Sequence, residues 1–525
     1  MFTRYKKLLL AGIALMVLFT LIPSQIAGAA NVSININFTS ATGAVATKKN
    51  YGVNTYFGFA SVYAGLPGNA TYKANVAASK YGFVRYHTWE MLEDTTSSWT
   101  QGWVIGADTD TPTWDANKID NALDGMLNPG QPWASATLVM NIPGWPAGWS
   151  QDGTMFGKLR ADRIAQYVAW CAELVQIINI NQGRNIVYWE VLNEREEVYA
   201  GDIATMVNIY IQARDAMKLV DPSIKVGGPA FIFYDEGPVD QFISAAHEKM
   251  DFVSYHSYST GDTTWPTNEI WDDAANLGAV GDSFKAKWFQ YDSRPVEFFH
   301  NEYNISWNPP DPRMNNAVGA VFDALAMRSM VQKGVSANAW NEADGWYGKM
   351  SGDLDSPAFA RRPASYVYQL YNEHLTGAEV SASSNNTALV VPFAVQNGQK
   401  KAFALINRTT AAHTAAITFG GVATNATATV YRVTGSGMTT TNNVTYATLT
   451  NGSYSLPATS VTVVVFNTTG SPTNTPVPPT ATNTPIGPTN TPVSGGTNLI
   501  VNPGFENGLT GWDSGGVIVS SPVYA

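Results

Sequence analysis

Eight short apolar runs recur through the middle of this 525-residue chain, and their number and spacing constrain the fold more than any other feature. They fall at residues 50–56, 82–86, 136–140, 186–189, 224–227, 252–255, 296–299 and 336–340. Between them, residues 161–178, 203–220 and 315–333 place apolar side chains at helical spacing. Strand, helix and return to a parallel strand is the repeating unit, and eight such units close into a (β/α)8 TIM barrel. A doubly wound sheet would need a Gly-rich phosphate turn after an early strand. None is present. The expected fold class is therefore α/β, with the barrel over residues 30–376.

The flanks read differently. At the start, Arg4, Lys6 and Lys7 precede an apolar run over residues 8–22 and the small-residue triplet Ala27-Gly28-Ala29. That is the pattern of a signal peptide over residues 1–29, and the run is short of the roughly 20 apolar residues of a membrane span. The protein is expected to be secreted, extracellular and free of the membrane after cleavage. Residues 377–468 carry short alternating runs between turn residues, at 388–395, 401–407, 415–419, 427–433 and 460–466. Such spacing is that of a small all-β sandwich. Residues 469–496 are rich in Pro, Thr and Asn, with Thr-Asn-Thr-Pro recurring. A segment of this kind buries no core and is expected to be a disordered linker, spanning roughly 80 Å if extended. Residues 497–525 follow it.

Composition excludes several function classes. Charged residues make up 14% of the chain, against about 25% in an ordinary globular protein. Aromatic residues make up 12%, with 16 Trp and 24 Tyr. The formal net charge is −10, and it becomes −13 once the three basic residues of the leader are removed. Without a basic patch, no nucleic-acid partner is expected. The single cysteine, Cys171, lies in the apolar stretch Tyr167-Val168-Ala169-Trp170-Cys171 and reads as a buried core thiol. It forms no internal disulfide, and a thiol hydrolase or a cysteine metal site is excluded.

In a (β/α)8 barrel, side chains at the C-terminal ends of the strands face a common mouth. Those ends carry Arg85 and His87 on the second strand, Asn141 and Trp145 on the third, and Asn193 and Glu194 on the fourth. The sixth carries His256 and Tyr258, the seventh Asn301 and Glu302, and the eighth Trp340. A purely structural rim would end in apolar residues or a turn, so this polar and aromatic ring needs a chemical reason. Retaining cleavage of a glycosidic bond supplies one. It requires two carboxyls about 5–5.5 Å apart, one donating a proton and one attacking the anomeric carbon. Strands four and seven face each other across the mouth and bring Glu194 and Glu302 to one bond. The Asn-Glu dipeptide is a weak signal alone, since it also occurs at 268–269, 341–342 and 372–373. Glu342, after the eighth strand, is the competing carboxylate. No metal-ligand spacing such as H-E-x-x-H occurs, and the chemistry requires no metal or other cofactor. Trp145, Trp149, Trp265, Trp271, Trp307 and Trp346 fall in or near predicted loops and are candidates to stack on sugars.

These residues also carry a family resemblance. The motifs are Phe83-Val84-Arg85-Tyr86-His87, Trp189-Glu190-Val191-Leu192-Asn193-Glu194, Asp251-Phe252-Val253-Ser254-Tyr255-His256-Ser257-Tyr258, Phe298-Phe299-His300-Asn301-Glu302-Tyr303 and Arg361-Arg362-Pro363. Together, over residues 51–377, they resemble clan A of the glycoside hydrolases and are most like family 39, which includes β-xylosidases. The resemblance implies Glu194 as general acid/base and Glu302 as nucleophile. It implies that Asn193 bonds the sugar 2-hydroxyl, that Arg85 supports the nucleophile, and that His256 and Tyr258 lie near it. Trp340 is implied as the floor of the first subsite and His87 as a further substrate-binding residue. Arg195 stands where the family often has proline. The implied activity is hydrolysis of β-linked polysaccharide or derived oligosaccharide, xylan-type favoured, by a secreted retaining enzyme. An endoglucanase, mannanase or agarase of the same clan, or a non-catalytic carbohydrate-binding protein, are the alternatives. At the other end, Asn498-Leu499-Ile500-Val501-Asn502-Pro503-Gly504-Phe505-Glu506 with Gly511-Trp512 resembles the opening of a cellulase-C-type carbohydrate-binding module. Residues 497–525 are thus expected to be the truncated start of such a module.

Overall fold

The computed structural model describes residues 31–55, 69–96 and 102–467. The signal peptide, the linker and the module-like segment expected from the sequence lie outside the described residues. Among those described, no helix is long and apolar enough to cross a membrane.

The chain starts with a long strand, β1 (Asn31–Ala46), and then enters the barrel. The barrel strands are β2 (Gly52–Thr55), β3 (Phe83–Tyr86), β6 (Thr137–Ile142), β7 (Tyr188–Val191), β8 (Lys225–Phe231), β9 (Phe252–Thr260), β10 (Glu297–Ser306) and β11 (Ser336–Ala339). A two-stranded ribbon, β4 (Val104–Ile105) with β5 (Thr113–Trp114), sits in the connection between β3 and β6. All neighbouring barrel strands pair in parallel, and β11 returns to β2 to close the cylinder. Each of the eight runs read from the sequence supplies one strand.

The intervening helices bury one stripe against the barrel. Ile164–Val175 buries Tyr167, Trp170, Cys171 and Leu174, at the i, i+3, i+4 and i+7 positions of a single face. Cys171 is fully buried there, and burial pushes its thiol up to about 12.

The second part is one nine-stranded sheet rather than two separate ones. Its strands are β12 (Gly377–Ser384), β13 (Val390–Asn397), β14 (Lys400–Asn407), β15 (His413–Gly420), β16 (Thr427–Thr434), β17 (Gly437–Thr445), β18 (Tyr454–Leu456) and β19 (Ser460–Phe466), together with β1. It curls on itself. Phe38 of β1 and Phe466 of β19 meet edge to face at 6.1 Å although three strands lie between them in the sheet. Both faces of its central strands are buried. Along β13, β14 and β19, one alternate set (Phe393, Ala404, Val463) packs with the barrel core. The other set (Phe403, Leu405, Val464) fills the inside of the curl. The two-residue period of a strand sorts the side chains in this way, and the continuous apolar runs of these strands follow from it.

The barrel does not begin at residue 30. β1 pairs antiparallel with β12 and parallel with β15, so residues 31–46 complete the accessory sheet before the barrel starts at β2. Val32, Ile34 and Ile36 alternate inward and read as an isolated strand, with no local sign of which sheet receives them. Because Ile36 is fully buried inside the curl, Ile36→Ala should lower stability by about 2–5 kcal/mol in a denaturant titration. A change below about 0.5 kcal/mol, the size of a surface substitution, would contradict this placement.

Candidate active site

The barrel interior is built in layers by the alternation of each strand. At the bottom, Phe83, Val139, Tyr188, Phe252 and Phe299 form an apolar plug. Two residues further along the same strands stand Arg85, Asn141 and Glu190, all fully buried. Above them the strand ends open into a cavity of about 900 Å3, lined among others by His87, Trp89, Asn193, Glu194, Glu302 and Trp340.

The middle layer is held by one guanidinium. Arg85 donates from Nε to Glu190 Oε2 (2.7 Å), from Nη1 to Glu302 Oε1 (2.8 Å) and Asn54 Oδ1 (3.1 Å), and from Nη2 to Asn193 Oδ1 (2.7 Å). Glu190 accepts in addition from Asn141 Nδ2 at 2.8 Å and from Asn301 Nδ2. A buried charge is tolerated when paired and hydrogen-bonded in this way. Burial lowers the Arg85 affinity for its proton, but the two carboxylates more than offset it, so the cation is retained.

Glu302 reaches this fork because β10 carries a bulge. His300 pairs with Tyr255 and Glu302 with His256, which leaves Asn301 as an extra residue against β9. Strict alternation would turn one of two consecutive side chains outward. With the bulge both Asn301 and Glu302 face inward, one onto Glu190 and the other onto Arg85. On the opposite side, Leu192 (φ 74°) and Glu194 (φ 53°) adopt the left-handed conformation where β7 ends. Non-glycine residues pay strain there, and such strain clusters at functional sites.

Glu194 and Glu302 come together. With His256, each offers one atom in a triangle whose members lie within 4.8 Å of one another. Tyr258 Oη donates to Glu302 Oε2 at 3.0 Å. His256 bridges the pair, with Nδ1 2.7 Å from Glu194 Oε1 and Nε2 3.7 Å from Glu302 Oε1. Burial pushes His256 down to about 4, so the imidazole is neutral near pH 7. Glu194 lies deep, yet 34% of its side chain stays accessible through the cavity. Burial pushes its carboxyl up to about 7, against the pull of Arg85. Desolvation, and not the charge of the facing carboxylate, is what raises it. Burial also raises Glu302, with Glu194 adding to the shift and His256 and Arg85 opposing it. Three ligand-type atoms this close could receive a cation, but the Arg85 charge 2.8 Å from Glu302 works against one.

The model of glycosyl hydrolases family 39 matches residues 158–343. A β-xylosidase of Caldicellulosiruptor saccharolyticus is 28% identical over 158 residues, which are 29% of this chain and 32% of that protein. The chain resembles family 39. The match spans about a third of that relative's length. Two solved structures share the fold. A monomeric β-xylosidase of Caulobacter crescentus CB15 has 16% identity and a TM-score of 0.59, over 83% of this chain and all of that one. CelM2, a bifunctional glucanase-xylanase from a metagenome library, has 15% identity and a TM-score of 0.58, over 84% of this chain and all of that one.

The segment matched to family 39 contains Asn193, Glu194, His256, Tyr258, Glu302 and Trp340, while Arg85 and His87 precede it. His87 lies under Trp340, with ring centroids 5.6 Å apart, and its Nδ1 meets Asn141 Oδ1 at 2.7 Å. Asn141 Nδ2 is turned toward Glu190, so Nδ1 of His87 carries the proton and Nε2 faces Glu302 at 3.9 Å. Asn141 and Asn301 thus sit below the cavity, on Glu190. Glu342 is fully buried away from it, accepting from Thr55 and Tyr72, and is not at the mouth. Of the loop tryptophans, Trp145, Trp149 and Trp271 are buried, whereas Trp307 lines the cavity and is 63% exposed.

Arg195 explains its own departure from proline. Its guanidinium lies 4.6 Å from the Trp89 ring and 4.5 Å from the Trp145 ring, and it donates to the carbonyls of Met155 and Phe156. Gly144 leaves the space, since a Cβ there would fall 2.0 Å from Nη2. Arg195 therefore braces Trp89, a wall of the cavity. Sequence reasoning missed Glu190, Asn54, Trp89 and Phe233 as parts of the site. Glu190 did carry a signal, as a charged residue within an apolar strand that must find a buried partner. Followed by 13C NMR, the Glu194 carboxyl should titrate near pH 7, and the signal should vanish in Glu194→Gln. A midpoint near 4.5, the ordinary glutamate value, would contradict the site's electrostatics.

Proposed function

We propose that the chain is an exported retaining glycoside hydrolase acting on β-linked, xylan-type polysaccharide or its oligosaccharides. One observation carries this reading: carboxyl oxygens of Glu194 and Glu302 within 4.8 Å at the mouth of the barrel, close to the roughly 5 Å of a retaining pair. The family 39 match and the β-xylosidase relative support the substrate class. Export rests on the leader-like pattern of residues 1–29, and would be checked by the mature N-terminus of protein recovered from culture medium.

Glu302 is the nucleophile. Arg85 and Tyr258 favour its ionised form and aim it, and attack on the anomeric carbon forms a glycosyl ester as the bond to the leaving oxygen breaks. Glu194 is the general acid. Protonated below about pH 7, it gives its proton to that oxygen and then, as carboxylate, takes one from water to release the sugar. His256, neutral near pH 7, stands with Nδ1 2.7 Å from Glu194 Oε1 and accepts a hydrogen bond from the acid form of Glu194. Asn193, its amide oxygen held by Arg85, points its Nδ2 at the sugar 2-hydroxyl, and Trp340 with His87 floors the ring under attack.

Glu302→Gly should abolish hydrolysis of polymer, while added azide restores turnover and yields a glycosyl azide of inverted anomeric configuration. Glu194→Ala should lower kcat/KM on natural substrates by about 10²–10⁴-fold and spare aryl glycosides with good leaving groups. Wild-type activity in either variant would refute the assignment. For the wild type, kcat/KM should fall as pH rises through about 7, because the acid must start protonated. Rates on xylan, glucan, mannan and galactan decide the sugar. Binding without release of reducing sugar from any of them would favour a non-catalytic carbohydrate-binding protein.

A further inference from the structure

The catalytic cavity does not end at the two carboxyls. A second recess of about 290 Å3 adjoins it, lined by Glu196, Glu197, Ile232, Phe233, Asp235 and Gln241 among others. Glu197, Ile232 and Phe233 line both spaces, so the two adjoin along that wall.

Three features fit a sugar ring. Phe233 stands at the junction with 52% of its surface exposed, an aromatic face that the fold itself leaves uncovered. Around it stand carboxyl and amide groups, and a pyranose offers just such an apolar face with a hydroxyl edge. Glu196 is 7% exposed, and one of its oxygens accepts the Ile232 N–H while Oε2 has no partner in the protein. Burial pushes this carboxyl up to about 8, so near pH 7 it is an acid that can donate as well as accept.

The position of the recess sets which part of a substrate it meets. Glu196 and Glu197 follow Glu194 across the single residue Arg195, and the Glu194 N–H donates to Ala230 O at 3.0 Å, just before Ile232 and Phe233. The recess is therefore on the side of the proton donor, where the leaving group departs. Trp340 and His87 follow other strands, β11 and β3. We propose that this recess is a leaving-group-side subsite for a further ring of a β-linked oligosaccharide, with Phe233 as its stacking face and Glu196 and Gln241 at its polar edge. The inference rests on the hydrolase reading and deepens it: the chain engages sugars beyond the scissile bond and is built for oligomers rather than for single-ring glycosides.

The test uses the full chain and β-1,4-linked oligosaccharides of two to six units from xylan, glucan and mannan, with an aryl monoglycoside alongside. In the wild type kcat/KM should rise with chain length, and Phe233→Ala should remove about tenfold of that gain, the upper range for one aromatic contact. The aryl monoglycoside should lose much less, and Gln241→Ala should show the same length-dependent pattern more weakly. Equal losses at every length, or a wild-type rate indifferent to length, would overturn the subsite. Calorimetric titration of the same oligosaccharides into Glu302→Gln, with and without Phe233→Ala, separates this idea from the hydrolase reading. Should no substrate turn over at all, affinity that grows with length and is lost with Phe233 would still support a sugar-binding recess. Length-independent affinity, or no binding, would end it.

Discussion

One buried cation organises this site. Arg85 is fully enclosed and distributes its donors over Glu190, Asn54, Glu302 and Asn193. Its charge is tolerable only because two carboxylates surround it, and theirs only because it is there. Removing one member of such a group leaves the others buried without compensation, at a cost of about 3–5 kcal/mol. The fork is thus a fixed ruler across the barrel. It ties the second strand to the fourth and the seventh, and it sets where the carboxyl of Glu302 and the amide of Asn193 stand. Glu190 has no place in the cavity, yet without it Arg85 would have no reason to hold this pose.

The two carboxyls that meet at the cavity, Glu194 and Glu302, have different surroundings. Glu302 is supported by Arg85 and Tyr258, whereas Glu194 has only a neutral imidazole as its close partner and is raised by burial. Burial raises both carboxyls, but the rise of Glu302 is opposed by a guanidinium bonded directly to it, whereas Glu194 feels that charge only at longer range; the proposed division into nucleophile and acid needs a difference of this kind. Backbone detail completes the arrangement. A bulge at Asn301 lets two successive residues face inward, and left-handed conformations at Leu192 and Glu194 turn the end of β7 toward the cavity.

Much of this was legible before any coordinates. Eight apolar runs at regular spacing identified the barrel strands, and the polar residues that ended them gathered Asn193, Glu194, Tyr258, Glu302 and Trp340 at one mouth, with Arg85 and His256 buried beneath it. What stayed hidden required long-range information. β1 has no local mark assigning it to a sheet whose other strands lie more than 300 residues further on. A strand period of two cannot foresee the bulge by which Asn301 and Glu302 both face inward. The loop tryptophans looked equivalent in sequence, but Trp145 and Trp149 are walled in while Trp307 is open. Phe233, in an ordinary apolar run, gave no hint that its ring would be left exposed beside the cavity.

At the centre of the account is a covalent bond to Glu302, made while Glu194 protonates the departing oxygen. The most direct check is to trap that bond with an activated 2-deoxy-2-fluoro β-glycoside, digest the protein and locate the added mass by tandem mass spectrometry. The label should sit on Glu302, in a one-to-one ratio with lost activity. A label on another residue, or inactivation-free turnover with an inverted first product by NMR, would contradict the mechanism derived from this geometry.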